Sequence, residues 1–379
     1  MNILHIMPSL ARAFGGPTQS WVGYARAAES QGAKVTVAAP RVNDKDFEWL
    51  NTQTQGVNYA LFRSGGKGAM VFSPGLQRWL SAHGKTFDVV HVHGLFNPIS
   101  SLALRHCVKK QWPVVLRPFG TLSRYTFLHR RSWMKQRYFR YLDRPSLEKS
   151  GGVHFTTPAE RDEAEWHGID FKEKGHVVPP PLLDAKLSIK EKEVSPTVLF
   201  LSRLHPKKNI ECLLDAWPEV QKANNAARLI IAGDGDPEYV HQLQAYARLR
   251  DPNNQIEFVG FVAGEDKARL MAASTVFVLP SFQENFGVAV MEAIGAGLPV
   301  VISKYVQLAS YVEQHDLGHV IDTDAEALAF SITEIIRNHA YRKHCREYGP
   351  ERILADFSVE SVGRQLVSMY ETIIEQHIN

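Results

Sequence analysis

Short apolar runs separated by amphipathic stretches dominate the first 180 residues of the chain. NILHIMPS, KVTVAAP, DVVHVHG, VVLRPFG and GVHFTTP are brief, rich in β-branched residues and bounded by Gly or Pro. That is the pattern of strands buried on both faces. Segments such as TQSWVGYARAAESQG and NPISSLALRHCVKKQ lie between them and read as helices. Strand–helix alternation of this kind predicts a parallel sheet with helices on both sides. The rhythm breaks at VVPPPLLDAKLSIKEKEVSPT, rich in Pro and charge, and a second series then starts. TVLFLSR, ARLIIAG, QIEFVGF, TVFVLPS and PVVIS are its strands, and from Asp324 onward the chain reads as helices only. The expectation is an α/β protein of two doubly wound Rossmann-like domains facing a cleft. They occupy residues 1–180 and 197–357, with a linker at 181–196 and a last helix, 358–379, crossing back to the first domain. Ligands of such sheets bind at the carboxyl ends of the strands, where the strand order reverses.

Composition narrows the class. At 379 residues the chain is too long for one typical core. With 44% apolar and 22% charged residues it is an ordinary globular protein rather than a disordered or fibrous one. Cys107, Cys212 and Cys345 are odd in number and far apart, which fits a reducing compartment and excludes C-x-x-C metal spacing. The opening MNILHIMPSL has neither a basic segment nor a long apolar one, so no signal peptide is expected. No uninterrupted apolar run reaches the roughly 20 residues of a spanning helix. A cytoplasmic protein is expected.

Charge changes the picture through its distribution. Residues 1–195 hold 27 Lys and Arg against 16 Asp and Glu, whereas residues 196–379 hold 16 against 24. The basic half is suited to an anionic partner. No nucleic-acid motif is present, so a membrane surface is the candidate; attraction between the two domains is the plainer alternative. The stretch RYTFLHRRSWMKQRYFRYLDR, residues 124–144, carries seven Lys or Arg and one acid. Trp133, Met134, Tyr138, Tyr141 and Leu142 recur in it near helical spacing. Such a helix either lies on an anionic membrane or buries its aromatic face against a core.

The candidate chemistry lies after the strands of the second series. Glu284 follows TVFVLPS and stands eight positions before Glu292, with Asn285, Phe286 and Gly287 expected to open a helix between them. A helix start has unpaired N–H groups and favours anions. Two turns of helix separate the acids by about 12 Å, too far for the carboxylate pair of a glycoside hydrolase. The spacing instead suits the two ends of an extended ligand. Arg203, at the end of TVLFLSR, and Lys208 would supply cations for a diphosphate. The plainer reading is a solvated turn at Lys207–Lys208 and two ordinary helix acids.

These pieces together resemble a retaining glycosyltransferase of the GT-B fold, family 4. The resemblance rests on SRLHPKKN, LIIAGDGDPE, VGFV, VFVLPSFQENFGVAVMEAIGAGLPVV and an N-terminal GGP loop, and spans nearly the whole chain. It implies that Arg203 and Lys208 hold the donor's diphosphate and that Glu284 binds hydroxyls of the transferred sugar. The backbone of Asn285, Phe286 and Gly287 would lie against sugar and phosphate. Glu292 would bind the ribose, the backbone around Val262 the base, and Gly15 and Gly16 the phosphate. His93, at the end of DVVHVHG, matches a histidine near the donor sugar; the reading has it projecting into the cleft rather than the core. A structural histidine is the alternative, and His91 shares its face.

What the resemblance implies is transfer of a hexosyl group from a UDP-sugar such as UDP-glucose to a glycan or lipid-linked acceptor, peripheral to the inner face of the plasma membrane. No cofactor and no metal are expected. Asp234 and Asp236 read as part of a turn, and Asp324, two after Asp322, as a helix cap. An epimerase of related fold and a non-catalytic sugar-nucleotide binding protein are the rivals. Two departures stand out: VVPPPLLD where the family has an Asn–Gly pair, and Ser202 where glycine is usual.

Overall fold

The structure, a computed structural model, describes residues 1–378 except 67, 69, 129–131, 184–194 and 252. The described chain forms two compact units. One comprises Met1–Leu183 together with the chain from Phe357 onward; the other ends at Asp356.

The first unit is built on seven parallel strands: β1 (Asn2–Ile6), β2 (Lys34–Pro40), β3 (Asn58–Phe62), β4 (Val89–His93), β5 (Val114–Arg117), β6 (Gly152–Phe155) and β7 (Gly175–Val177). They are arranged β3-β2-β1-β4-β5-β6-β7, so the order reverses between β1 and β4. Alternation along each strand sends successive side chains to opposite faces. Ile3, Val35, Val37 and Val115 share a core with the helix Gly16–Ser30 and the last helix, Val359–Ile378. Leu4, Val90, Val92 and Leu116 share the other with helices Pro74–His83 and Pro98–Lys110. The last helix lies so close to Gly16–Ser30 that a Cβ at Gly363 would stand 2.4 Å from the Ala27 carbonyl oxygen.

The Pro-rich stretch read as the start of a linker is, as far as Leu183, part of this unit. Pro180, Pro181 and Leu182 are buried, a Cβ on Gly23 would meet Pro181 Cγ at 2.9 Å, and the Leu182 N–H donates to Phe357 O. Prolines without N–H groups leave little to satisfy when they are buried. The remainder, 184–194, lies outside the described residues.

The second unit has six parallel strands: β8 (Thr197–Leu201), β9 (Arg228–Ala232), β10 (Ile256–Gly260), β11 (Val276–Leu279), β12 (Val300–Ser303) and β13 (Gly318–Ile321). Their order, β10-β9-β8-β11-β12-β13, reverses between β8 and β11. Beyond β13 the chain is helical: Ala325–Arg337, His339–Phe357 and Val359–Ile378. Three strands, β3, β7 and β13, have no counterpart in the sequence pattern, and all three are sheet edges. Among the described residues no helix is long and apolar enough to cross a membrane.

Candidate functional site

The second unit gathers its expected residues at the reversal between β8 and β11. Four apolar residues carry β8 through the core, and Arg203 emerges exposed just past its end. The turn Pro206–Lys208 follows, and Asn209, at φ 52°, redirects the chain into the helix Ile210–Ala223. From β11 the chain returns to this turn, since the Phe282 N–H donates to Lys207 O at 2.8 Å. The backbone of Glu284 is pinned from the other side: its N–H donates to Tyr305 O, and its carbonyl accepts from the Gln307 N–H. Lys208 Nζ and Glu284 Oε2 form an ion pair. The side chains are 15% and 22% exposed, so both are held in place yet reachable.

The helix after Glu284 spans Val288–Gly295, and Gly287 is its N-cap at φ 92°. Asn285, Phe286 and Gly287 thus precede the helix rather than form its first turn. Gly287 is required there: L-residues rarely adopt that φ, and a Cβ would meet Val306 Cγ1 at 3.1 Å. Phe286 is buried. Glu292 pairs with Lys267 at 2.6 Å, both largely buried. The sequence reading missed Lys267; its signal was a lysine in the amphipathic helix GEDKARLMA just before β11. Each glutamate therefore comes with its own lysine, bonded to one carboxylate oxygen. Val262 is half-buried beyond the end of β10, beside the exposed Phe261.

The two D-x-D look-alikes are committed elsewhere. Asp236 Oδ1 caps the helix Pro237–Arg250 and Asp324 caps Ala325–Arg337. Asp234 accepts from the Gly235 N–H, and Asp322 pairs with Lys304. These roles belong to turns and caps.

In the first unit the glycine loop follows β1. Gly15 takes φ 77° and caps the helix Gly16–Ser30, and a Cβ on Gly16 would meet nothing within 4 Å. His93 does not lie as expected. It is fully buried, because the face of β4 that carries it also carries His91 and lies under the helix Gly16–Ser30. His5 Nδ1 and His93 Nε2 are 2.8 Å apart, and the His91 and His93 rings stack at 4.0 Å. His154 Nε2 donates to Val178 O at 2.7 Å; its Nδ1 faces His91 Nε2, and His91 Nδ1 faces the Tyr370 hydroxyl at 2.7 Å. Burial, aided by the Arg117 guanidinium, lowers the pKa of His5 to about 3 and of His91, His93 and His154 well below the usual histidine value. The rings are neutral at pH 7, so the chain runs Tyr370 O–H to His91, His91 N–H to His154, His154 N–H to carbonyl. Donor atoms of His5, His91 and His93 lie within 4.8 Å of one another, the spacing of a loose metal cluster. A buried guanidinium on the same face opposes a second cation there, and the arrangement is that of a hydrogen-bonded stack.

Arg117, which the sequence reading passed over, is paired in register with His93. It is buried between the rings of Tyr24 and Phe119, 4.4 and 4.7 Å from their centroids. Behind it, buried Glu160 accepts from the Gly120 N–H, the Thr156 N–H and the Thr156 hydroxyl at 2.7–2.8 Å.

The described parts of the basic stretch 124–144 are helical. They are Arg124–Leu128 and a run from Ser132 that widens to a π-helical turn at Phe139–Asp143, with 129–131 outside the described residues. Phe127 and Phe139 point into the core, where they meet His167 at 4.3 and 4.9 Å. Trp133, Met134, Tyr141 and Leu142 are exposed beside Arg137 and Arg140. The segment thus has a buried aromatic anchor and a separate wet apolar–basic surface. A cavity of about 670 Å³ opens beside it, lined in part by Phe127, Arg140, Arg144 and Trp166.

Two doubly wound parallel sheets of one strand order, with polar side chains collected where that order reverses, define the GT-B class. Residues 184–352 match the family described as Glycosyl transferases group 1, and residues 15–181 the Glycosyl transferase 4-like domain. The chain belongs to these group 1 glycosyl transferases, family 4 of the GT-B enzymes. It is similar to the phosphatidyl-myo-inositol mannosyltransferase of Mycobacterium leprae, 28% identical over 98% of this chain and 97% of that one. That of Mycobacterium tuberculosis is 30% identical over 79% of this chain and 76% of its own length. Among solved structures, Anabaena HepE in complex with UDP and glucose superposes with a TM-score of 0.75 at 19% identity, covering 97% and 98% of the two chains, a likeness of fold.

Proposed function

We propose that this glycosyl transferase moves a hexosyl group from a UDP-sugar, such as UDP-glucose, to a hydroxyl of a glycan or lipid-linked acceptor. Retention at the anomeric carbon and independence of metal are part of the reading, as is a role in polysaccharide or lipid-linked oligosaccharide synthesis. The observation that carries it is the Lys208–Glu284 pair at the β8/β11 reversal, with Arg203 exposed just past the end of β8. Arg203 and Lys208 would hold the diphosphate and stabilise the leaving phosphate, while Glu284 takes sugar hydroxyls and Glu292 the ribose. With the cations supplied by side chains, and the D-x-D aspartates used in turns and caps, the reading calls for no metal. With Glu284 and Glu292 both given to donor hydroxyls, the reading assigns no carboxylate as nucleophile, so front-face attack is proposed, the leaving phosphate accepting the acceptor's proton. A phospholipid acceptor in the name of the mycobacterial relatives supports a lipid-linked one here.

Calorimetric titration of UDP-, GDP- and ADP-sugars with EDTA present tests the donor. One UDP-sugar should bind, and Glu292→Ala should abolish its heat. Binding of a GDP-sugar alone would replace the donor; equal binding by both proteins would remove Glu292 from the site.

The exposed Trp133, Met134, Tyr141 and Leu142 beside Arg137 and Arg140 support a peripheral, cytoplasmic enzyme seated on an anionic membrane. Each cation near such a surface contributes about 1 kcal/mol, a factor of about five. Sedimentation with vesicles containing phosphatidylglycerol should therefore show binding that drops about fivefold in Arg137→Gln and further in Trp133→Ser. Equal binding to neutral vesicles would refute it.

A further inference from the structure

Arg117 poses a physical problem. Its side chain is 3% exposed, and among the described residues no carboxylate lies within ion-pair distance. One nitrogen, Nη2, donates to Ser20 Oγ at 2.7 Å; Nε and Nη1 have no partner. A buried guanidinium without a counter-charge is costly, and each unmade hydrogen bond adds to that cost. Glu160 is close enough to act on Arg117 at longer range, but its two oxygens are taken by Gly120 and Thr156.

Further unpartnered atoms lie in the same cluster: His93 Nδ1, His5 Nε2 and the indole nitrogen of Trp21, whose ring is 6.4 Å from that of His5. Ser20, Trp21 and Tyr24 all belong to the helix that Gly15 and Gly16 open, and Ser20 is one turn inside its start. That start favours an anion, and Arg117 is tied to the same helix one turn further in.

Phe119 covers the cluster. Its ring stacks on His93 at 5.7 Å and on Arg117 at 4.7 Å, and is itself only partly buried. It takes φ 56°, unusual for a bulky residue, and Gly120 follows at φ 68°. The Glu160 bond to the Gly120 N–H holds the rear of this turn, and only packing holds the phenyl ring in front. Strain kept at a strand's carboxyl end by a buried carboxylate is the kind that accompanies a site.

We propose that Arg117 is the cation of an anion site in the first unit, opened when the Phe119 ring swings aside, and that it takes a phosphoryl oxygen. Nε and Nη1 bond the oxygen, and His93 is uncovered beside it; a direct role for His93 begins only in that open state. The inference rests on the donor reading for the phosphate's place beside Gly15 and Gly16. The phosphoryl group belongs either to the nucleoside diphosphate or to a phosphate ester of the acceptor.

The test titrates UDP and, separately, sn-glycerol 1-phosphate into the native chain, Arg117→Gln, Phe119→Gly and Lys208→Ala, with thermal melts alongside. Arg117→Gln should weaken one ligand about tenfold, the scale of a lost bond to a charged group. Phe119→Gly, which suits the positive φ and removes the cover, should tighten the same ligand several-fold. A change for UDP alone assigns the site to the nucleotide, and a change for glycerol phosphate to the acceptor. Should Arg117→Gln fail to melt cooperatively, Phe119→Gly decides. Unchanged affinities in Phe119→Gly overturn the proposal and leave buried water as the partner of Arg117. If Lys208→Ala then still abolishes UDP binding, the donor reading stands without it; if Lys208→Ala has no effect either, both fall.

Discussion

Replacing Lys208 by alanine is expected to lower turnover by about 10²- to 10³-fold, the range for removing one preorganised group from a developing anion. The reason is positional. Lys208 sits at the end of the turn that follows β8, and its ammonium is already held against Glu284 from the loop after β11. On the proposed reading a diphosphate leaving group arriving there would meet a cation fixed before the reaction starts, on a side chain only 15% exposed. The substitution removes that cation and also frees the Glu284 carboxylate to repel the phosphates. Lys208→Arg keeps the charge but changes its geometry, and should fall between the two. The measurement is steady-state release of UDP from the donor identified by calorimetry, with melting curves to confirm folding. Turnover within threefold of native would detach Lys208 from the leaving group.

The second large effect concerns acid. His5, His91, His93 and His154 are buried and neutral in the first unit, with Arg117, Glu160, Tyr24 and Tyr370 around them. Their pKa values are lower in the folded than in the unfolded chain, so below pH 6.5 the unfolded state binds more protons. Stability is therefore fully present above pH 6.5 and falls as the pH drops, for His5 down to about pH 3. At pH 5 His5 alone costs about 2 kcal/mol, from 1.5 units at roughly 1.36 kcal/mol each; the other three act in the same direction. Asp143, pushed up to about 6 by burial, and Glu160, also raised, work the other way, since the folded state then binds the proton first. Glu29 is raised as well, but burial also lowers His106, His167 and His176, so three carboxyls stand against seven imidazoles and the net is a loss. Denaturant unfolding followed by circular dichroism should show the first unit's transition moving to lower denaturant between pH 7 and pH 5. His154→Gln should reduce that dependence. A transition independent of pH in this range would mean that the rings are hydrated or paired in a way that lets them take protons.

Much of the architecture could be read from the chain because central strands of a doubly wound sheet are buried on both faces. β1, β2, β4, β5 and β6 of the first sheet, and β8, β9, β11 and β12 of the second, appear as apolar, β-branched runs for that reason, while the edge strand β10 was found from QIEFVGF although none of its residues is buried. The other three edge strands escape the same test. β3 (NYALF) is half-buried along most of its length, β7 is three residues long, and β13 (GHVI) is half-buried throughout. One exposed side leaves no continuous apolar run to find. The Pro-rich stretch misled in the opposite sense: proline reads as a linker, whereas as far as Leu183 it docks on Gly23.

What the sequence by itself determined is the family of pieces: two parallel α/β series, an Arg203–Lys208 strand end, the Glu284–Glu292 spacing and the glycine loop. These are local patterns, set by burial of consecutive residues and by the φ values that glycine alone adopts readily. Only the tertiary structure decided which side chains meet. The Lys208–Glu284 pair joins residues 76 positions apart, and Lys267–Glu292 joins two helices around β11. The burial of His93 depends on the helix Gly16–Ser30 lying over the face of β4 that carries it. Arg117 looked like a strand residue until Tyr24 and Phe119 closed over it. Periodicity assigns a side chain to a face of its strand; what covers that face is fixed by distant segments, through packing and pairing that no local window contains.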